Sequence, residues 1–262
     1  MQRQIWRGDQ LAEAVERTVS SGHRALDLCL PGKGWPTGSL TELLTEQDGI
    51  GELRLLAPAL AALTAEQQRH VMLIAPPYRP YAVALRAWGV VVERVIWVRA
   101  PQSQALWAAE QALKQDGMGA VLMWSKEARP EALRRLQVAA HDCRSLVFLI
   151  RPLAAAAQAS AAPLRIACRV VLPDGARALN RRQWLQETGL TLDIVKRRGP
   201  PLAAPLHLKL PLKAAILPER VAREEGQERR VNHVVDRGDV ADVVAGGREA
   251  GRPRERRERE RV

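Results

Sequence analysis

Aromatic side chains are scarce in this 262-residue chain: one Phe, two Tyr and seven Trp make up a 4% aromatic share. Basic residues are rarely interleaved with aromatic ones, so the pattern offers no base-stacking platform for single-stranded nucleic acid. Cysteine is scarce as well. Cys29, Cys143 and Cys168 lie far apart with no CxxC spacing. That spacing argues against a zinc site or a disulfide framework and fits buried thiols in a reducing cytoplasm. No apolar run approaches the roughly 20 residues of a membrane-spanning helix. The opening MQRQIWRGDQ has neither an apolar core nor a cleavage site, which predicts a cytoplasmic protein with no signal peptide and no membrane partner.

Charge is present in excess. The net charge is +11, yet residues 221–262 hold 11 Arg against 10 Asp or Glu, so +10 belongs to residues 1–220. Two readings of this basic folded part are open: contact with a polyanion such as DNA, or a solubilising surface.

The chain then alternates between two periodicities. Residues 9–20 space Leu11, Ala12, Val15 and Val19 as a short amphipathic helix, and 23–30 as another. Strands are predicted at 39–44, 70–75, 95–98, 120–124 and 146–150. Helices are predicted at 52–63, 82–88, 103–114 and 130–141. Pro58 should kink or divide the first of these, and Gly89 should cap the second. The strands are continuous apolar runs, which implies burial on both faces and a parallel sheet between helices. Runs at 164–172, 183–186 and 190–196, the first two linked through Pro173-Asp174-Gly175, predict an antiparallel extension at the sheet edge. Past Gly199-Pro200-Pro201 the periodicity is lost, and 221–262 is Arg/Glu/Gly-rich, as in a disordered tail or a lone charged helix.

The turn from the 39–44 strand into the 52–63 helix is where a phosphate-binding loop belongs. Such a loop needs glycines, amides aimed at phosphate, a Lys for the terminal phosphates and a hydroxyl for Mg²⁺. Gly49 and Gly51 are present, but Glu52 stands at the Lys position and Leu53 at the hydroxyl position. Exchanging Lys for Glu reverses the sign of an interaction worth roughly 4 kcal/mol at about 4 Å and an effective dielectric of about 20. The strand that should end in a metal-binding Asp instead ends at Trp124-Ser125. The five histidines form no catalytic spacing and there is no GxSxG elbow. The expectation is a chain that is not an enzyme, with no catalytic residues, no metal and no nucleotide cofactor, carrying a degenerate loop at Gly49, Gly51 and Glu52.

At this point the residues resemble a known family. Ser21-Gly22-His23-Arg24-Ala25-Leu26-Asp27, with Leu30, Gly32, Gly34, Pro36, Gly38 and Glu42, is similar to the opening of a RecA core. Residues 161–170 and 190–198 are similar to its later strands. More closely, 21–201 resembles ImuA, a RecA-like accessory protein of mutagenic translesion synthesis. The resemblance rests on GKGWPTGSLTELL (32–44), GIGELRLL (49–56), IAPPYRPY (74–81), RAPQSQALWAAE (99–110), ALRRLQVAA (132–140) and KRRG (196–199). It implies a RecA-like, mostly parallel sheet flanked by helices, with antiparallel edge strands and an irregular C-terminal tail. It implies three segments: an N-terminal arm at 1–20, a core at 21–201 and a charged tail at 202–262. It further implies an SOS-induced adaptor for an ImuB-like, Y-family-like polymerase subunit, with a replicative-type error-prone polymerase, RecA and DNA as further partners. Chains of this group also carry a SulA-like cell-division-inhibitor label, which is the alternative reading. The Tyr78–Tyr81 loop stands where a RecA-like ATPase carries its catalytic Glu.

Function in such a chain must lie in surfaces. Arg165, Arg169, Arg181, Arg182, Lys196, Arg197 and Arg198 are candidates for a DNA- or partner-binding patch. The alternative is a solvated sheet edge whose charges discourage pairing with another sheet. Trp35, Trp88, Trp107 and Trp184 are either partner anchors or core residues.

Overall fold

The computed structural model describes residues 17–171 and 187–210. All of them fall in one compact unit, Met1–Glu219, and a second unit, Arg220–Val262, lies outside the described residues. Residues 9–16 of the helix expected at 9–20, the run at 183–186 and the tail from 211 onward also lie outside them. Of the N-terminal arm only its end is described. There Thr18–Val19 is a short strand, β1, rather than helix, because it pairs antiparallel with Trp35–Pro36, β2.

Between them lies α1, Arg24–Cys29. The chain then alternates strand and helix: β3 Ser39–Thr45, α2 Glu52–Ala61, β4 His70–Ile74, α3 Ala82–Ala87, β5 Val95–Val98, α4 Gln102–Leu113, β6 Met118–Trp124, α5 Pro130–His141 and β7 Leu146–Pro152. Three further described strands follow: β8 Leu164–Val171, β9 Gly189–Lys196 and β10 Leu206–Lys209. They join one eight-stranded sheet in the order β10-β9-β8-β3-β7-β6-β4-β5. From β5 to β8 every neighbouring pair is parallel, whereas β9 and β10 run antiparallel.

The strand period of two sends successive side chains to opposite faces. Leu146, Phe148 and Ile150 of β7 enter one core layer with Leu55, Leu56 and Leu60 of α2 and Leu85 of α3. Val147 and Leu149 enter the other with Ala105 and Ala109 of α4 and Leu133 and Leu136 of α5. Both faces of β7 are therefore covered, which is why its sequence is a continuous apolar run. Trp35 belongs to the first layer, edge-on to Phe148 with ring centroids 5.1 Å apart.

Two expectations change. Pro58 does not divide α2, which runs through it and passes into a π turn only at Ala62–Glu66. The Pro58 ring packs against the backbone of Gly22, where even a Cβ would overlap it. Tertiary packing thus holds a residue that local preference disfavours. And the sheet continues past residue 201: Leu206 and Leu208 alternate with His207 and Lys209 to form β10, with Leu208 in the core.

Candidate functional site

β3 has parallel neighbours on both sides, so its C-terminal end opens at the middle of the sheet, where α/β folds place their ligands. The loop leaving it turns through two glycines in the left-handed region, Gly49 at φ 80° and Gly51 at φ 118°, a conformation that costs residues with a Cβ. These glycines aim backbone N–H groups inward. Both are already bonded: Gly49 N donates to Glu52 Oε1 and Gly51 N to Glu52 Oε2, each at 3.1 Å. Glu52 is buried, with a residue exposure of only 3%. A carboxylate of the chain itself therefore occupies the amide cradle and also neutralises the positive end of α2.

Arg54 follows on the same turn and donates from Nη1 to the carbonyl of Leu210 at 2.9 Å. Burial lowers its pKa from the ordinary arginine value, against the opposing pull of Glu52. On the neighbouring β8, burial first, and then the negative charge of Glu52, push the Cys168 thiol up to about 12, while Arg169 acts the other way.

The loops after β4, β5 and β6 build the rest of this rim. A cavity of about 350 Å³ lies between Gly51, Glu52, Tyr78, Tyr81, Trp88 and Trp124. The Trp124 indole N–H is buried without a hydrogen-bond partner. A second cavity of about 630 Å³ opens between Asp48, Tyr78, Trp97, Arg99, Gln102 and Lys126. Tyr78 is common to both and is 66% exposed; Tyr81 beside it is 63% exposed. Five of the chain's ten aromatic residues, Tyr78, Tyr81, Trp88, Trp97 and Trp124, thus line these two cavities.

A second polar constellation lies inside the sheet. Glu42 of β3 is fully buried and receives Arg165 Nε of β8 at 2.7 Å and Arg151 Nη1 of β7 at 3.5 Å. Ser160 Oγ donates to the same carboxylate at 2.6 Å. Arg165 also donates to the carbonyls of Ala155 and Ala156, and Arg151 to the Gln158 side chain. The register places Glu42 opposite Leu149 on one side and Arg165 on the other, which brings all three charges onto the face that also receives α4 and α5.

This corrects one candidate. Arg165 is 5% exposed and engaged on three acceptors, so it is a core residue and no part of a surface patch. Of the other basic candidates, Arg169 pairs with Glu46 at 3.6 Å. Lys196 stands opposite Arg165 in the strand register and donates to the Ser160 carbonyl at 3.0 Å. Arg197 donates to the carbonyls of Pro200 and Cys29. Arg198 lies just past β9 in the bend that follows it. Arg181 and Arg182 lie outside the described residues. Among the tryptophans, Trp35 is core, Trp88 lines the smaller cavity, Trp107 is exposed on α4, and Trp184 is outside the described residues. Sequence reasoning missed Trp97, Arg99 and Lys126, which lie at the ends of two strands, β5 and β6; only the strand order gathers them.

No family model matches this chain. It is 34% identical over 112 residues, 42% of its own length and 67% of the other, to a protein of Edwardsiella piscicida named cell division inhibitor SulA.

Proposed function

The chain belongs to the family of that SulA protein, and from this we propose that it acts by binding another protein, without turning over nucleotide. The first reading is an inhibitor of cell division, induced with the SOS response to DNA damage, that engages a tubulin-like division protein. The kinship over 112 residues carries it. The occupied cradle supports the non-catalytic part: with Glu52 bonded to Gly49 and Gly51, a phosphate would have to displace a buried carboxylate and meet its charge. No carboxylate stands at the end of β6, where Trp124 is followed by Ser125. On this reading the sheet is a RecA-derived scaffold that has kept its shape and lost its cofactor.

A second reading is an ImuA-like adaptor for a Y-family-like polymerase subunit in translesion synthesis. What favours it is the extent of the resemblance, 21–201, a longer stretch than the one shared with SulA.

One pair of measurements separates the two. Overproduction in undamaged cells yields filaments, and the chain captures the division protein, if the first reading is right. If cells divide normally while deletion abolishes damage-induced mutagenesis and the polymerase subunit is captured, the second replaces it. Saturable ATP binding with Mg²⁺ would overturn the non-catalytic part of both.

A further inference from the structure

The rim around Trp97 has a charge arrangement that the fold does not use. Arg99 lies over the Trp97 ring with its guanidinium carbon 4.5 Å from the ring centroid, and Arg79 approaches the same ring at 5.9 Å. They come from the loops after β5 and β4, neighbouring parallel strands in which Leu73 is opposite Trp97. Both arginines are exposed. Neither pairs with a carboxylate among the described residues. A guanidinium stacked on an indole keeps its N–H edge free for a planar oxyanion. The exposed Lys126 lines the same 630 Å³ cavity, together with Pro76, Pro77, Tyr78 and Pro101.

We propose that this rim docks an acidic segment of a partner protein, one in which a carboxylate adjoins an apolar side chain. The carboxylate seats on the paired guanidinium edges of Arg79 and Arg99, and the apolar group seats on the proline and aromatic wall. Charge complementarity selects the sign of the partner. The acidic peptide fits better than a nucleic-acid strand. Asp48 lines the same cavity, and Glu46 and Asp48 line the adjoining one, so a continuous phosphate chain would meet negative charge where a single carboxylate need not. The Trp97 face is also taken by a guanidinium rather than open for a base. This deepens the protein-binding reading and rests on it.

The test uses the full chain and a fluorescein-labelled peptide of alternating aspartate and leucine, followed by anisotropy. The peptide binds, and binding weakens with salt. Arg99→Glu and Arg79→Glu each weaken it by about tenfold or more, while Arg134→Glu, on the exposed side of α5, leaves it unchanged. Circular dichroism confirms that each variant is folded. The proposal is overturned if the peptide fails to bind, if binding ignores both rim substitutions, or if oligothymidylate of equal charge displaces it. The same variants are then tried in capture of the division protein. Capture that survives both rim substitutions, without peptide binding, sinks the rim and leaves the protein-binding reading standing. Arg99-dependent peptide binding with no partner captured by the wild type sustains the rim and sinks that reading.

Discussion

Glu52 Oε1 accepts the backbone N–H of Gly49 at 3.1 Å, so the first residue of α2 closes the loop that leads into it. Its other oxygen does the same for Gly51. Glu52→Ala removes the charged acceptor from the amides of the exposed Gly49 and the partly buried Gly51 and lowers stability by about 1–3 kcal/mol. Glu52→Gln retains one acceptor oxygen and loses less. Urea denaturation of the two variants checks the order; equal stability of wild type and Glu52→Ala would show that the carboxylate contributes nothing to the loop.

Glu42 holds two arginines inside the sheet. Glu42→Ala leaves Arg151 and Arg165 as buried, uncompensated charges and costs about 3–5 kcal/mol. Arg165→Met, which removes charge and keeps volume, costs less than Glu42→Ala because Arg151 still faces the carboxylate. Both effects appear in the midpoint of urea unfolding. A variant Arg165→Met with normal stability and lost partner binding would return Arg165 to the surface.

Acid weakens the N-terminal turn in two steps. Burial is the largest influence on His23, whose Nε2 is enclosed without a partner, and it lowers the pKa below 6.5, outweighing the nearby Leu55 backbone and the charge of Asp27. For Asp27, burial pushes upward, but the Ser21 and Ser20 hydrogen bonds prevail and hold it below 3.8. Both folded values lie below the unfolded ones, so each group contributes stability that is present above its unfolded value and lost as pH falls through its folded value. Stability therefore begins to fall below about pH 6.5 through His23, with a further loss below about pH 3.8 through Asp27. In Asp27→Asn the second loss is missing. Chemical denaturation across pH 3 to 8 reads both; an unchanged acid limb in Asp27→Asn would remove Asp27 from the account.

Thiol reactivity should divide sharply. Cys168 is buried and its pKa is about 12, whereas Cys29 and Cys143 are partly exposed. A thiol reagent at neutral pH labels Cys29 and Cys143 in the folded chain and reaches Cys168 only on unfolding. Mass spectrometry of the labelled peptides decides it, and fast labelling of Cys168 would contradict its burial in the core.

Much of the architecture could be read in the residues because its signals are local. The apolar run at 146–150 specifies a strand buried on both faces, and the Pro130-led amphipathic run specifies α5 over the very residues it occupies. The β3–loop–α2 turn and its missing Lys were equally plain, since spacing within a few residues defines them. β10 escaped despite the alternation of Leu206, Leu208 and Leu210, because four residues of strand are too short a signal beside a tract of prolines.

The sequence by itself determined the types of the elements from β3 to β8, the parallel character of the sheet's centre and the absence of a cation at position 52, since these depend on local period and composition. Only the tertiary structure decided what the charges do. Strand order carries Arg165 to Glu42 across 123 residues and buries it, so a residue that reads as surface becomes core. Strand order also gathers Arg79, Arg99 and Trp97 on two adjacent loop ends. And the chain turn at Gly49 and Gly51 directs the Glu52 carboxylate back onto the loop amides, which fixes its role by geometry that no spacing encodes. The physical reason is range. Periodicity and propensity act over a few residues, while an ion pair or a stacked guanidinium is set by whichever side chains the folded sheet brings within a few ångströms.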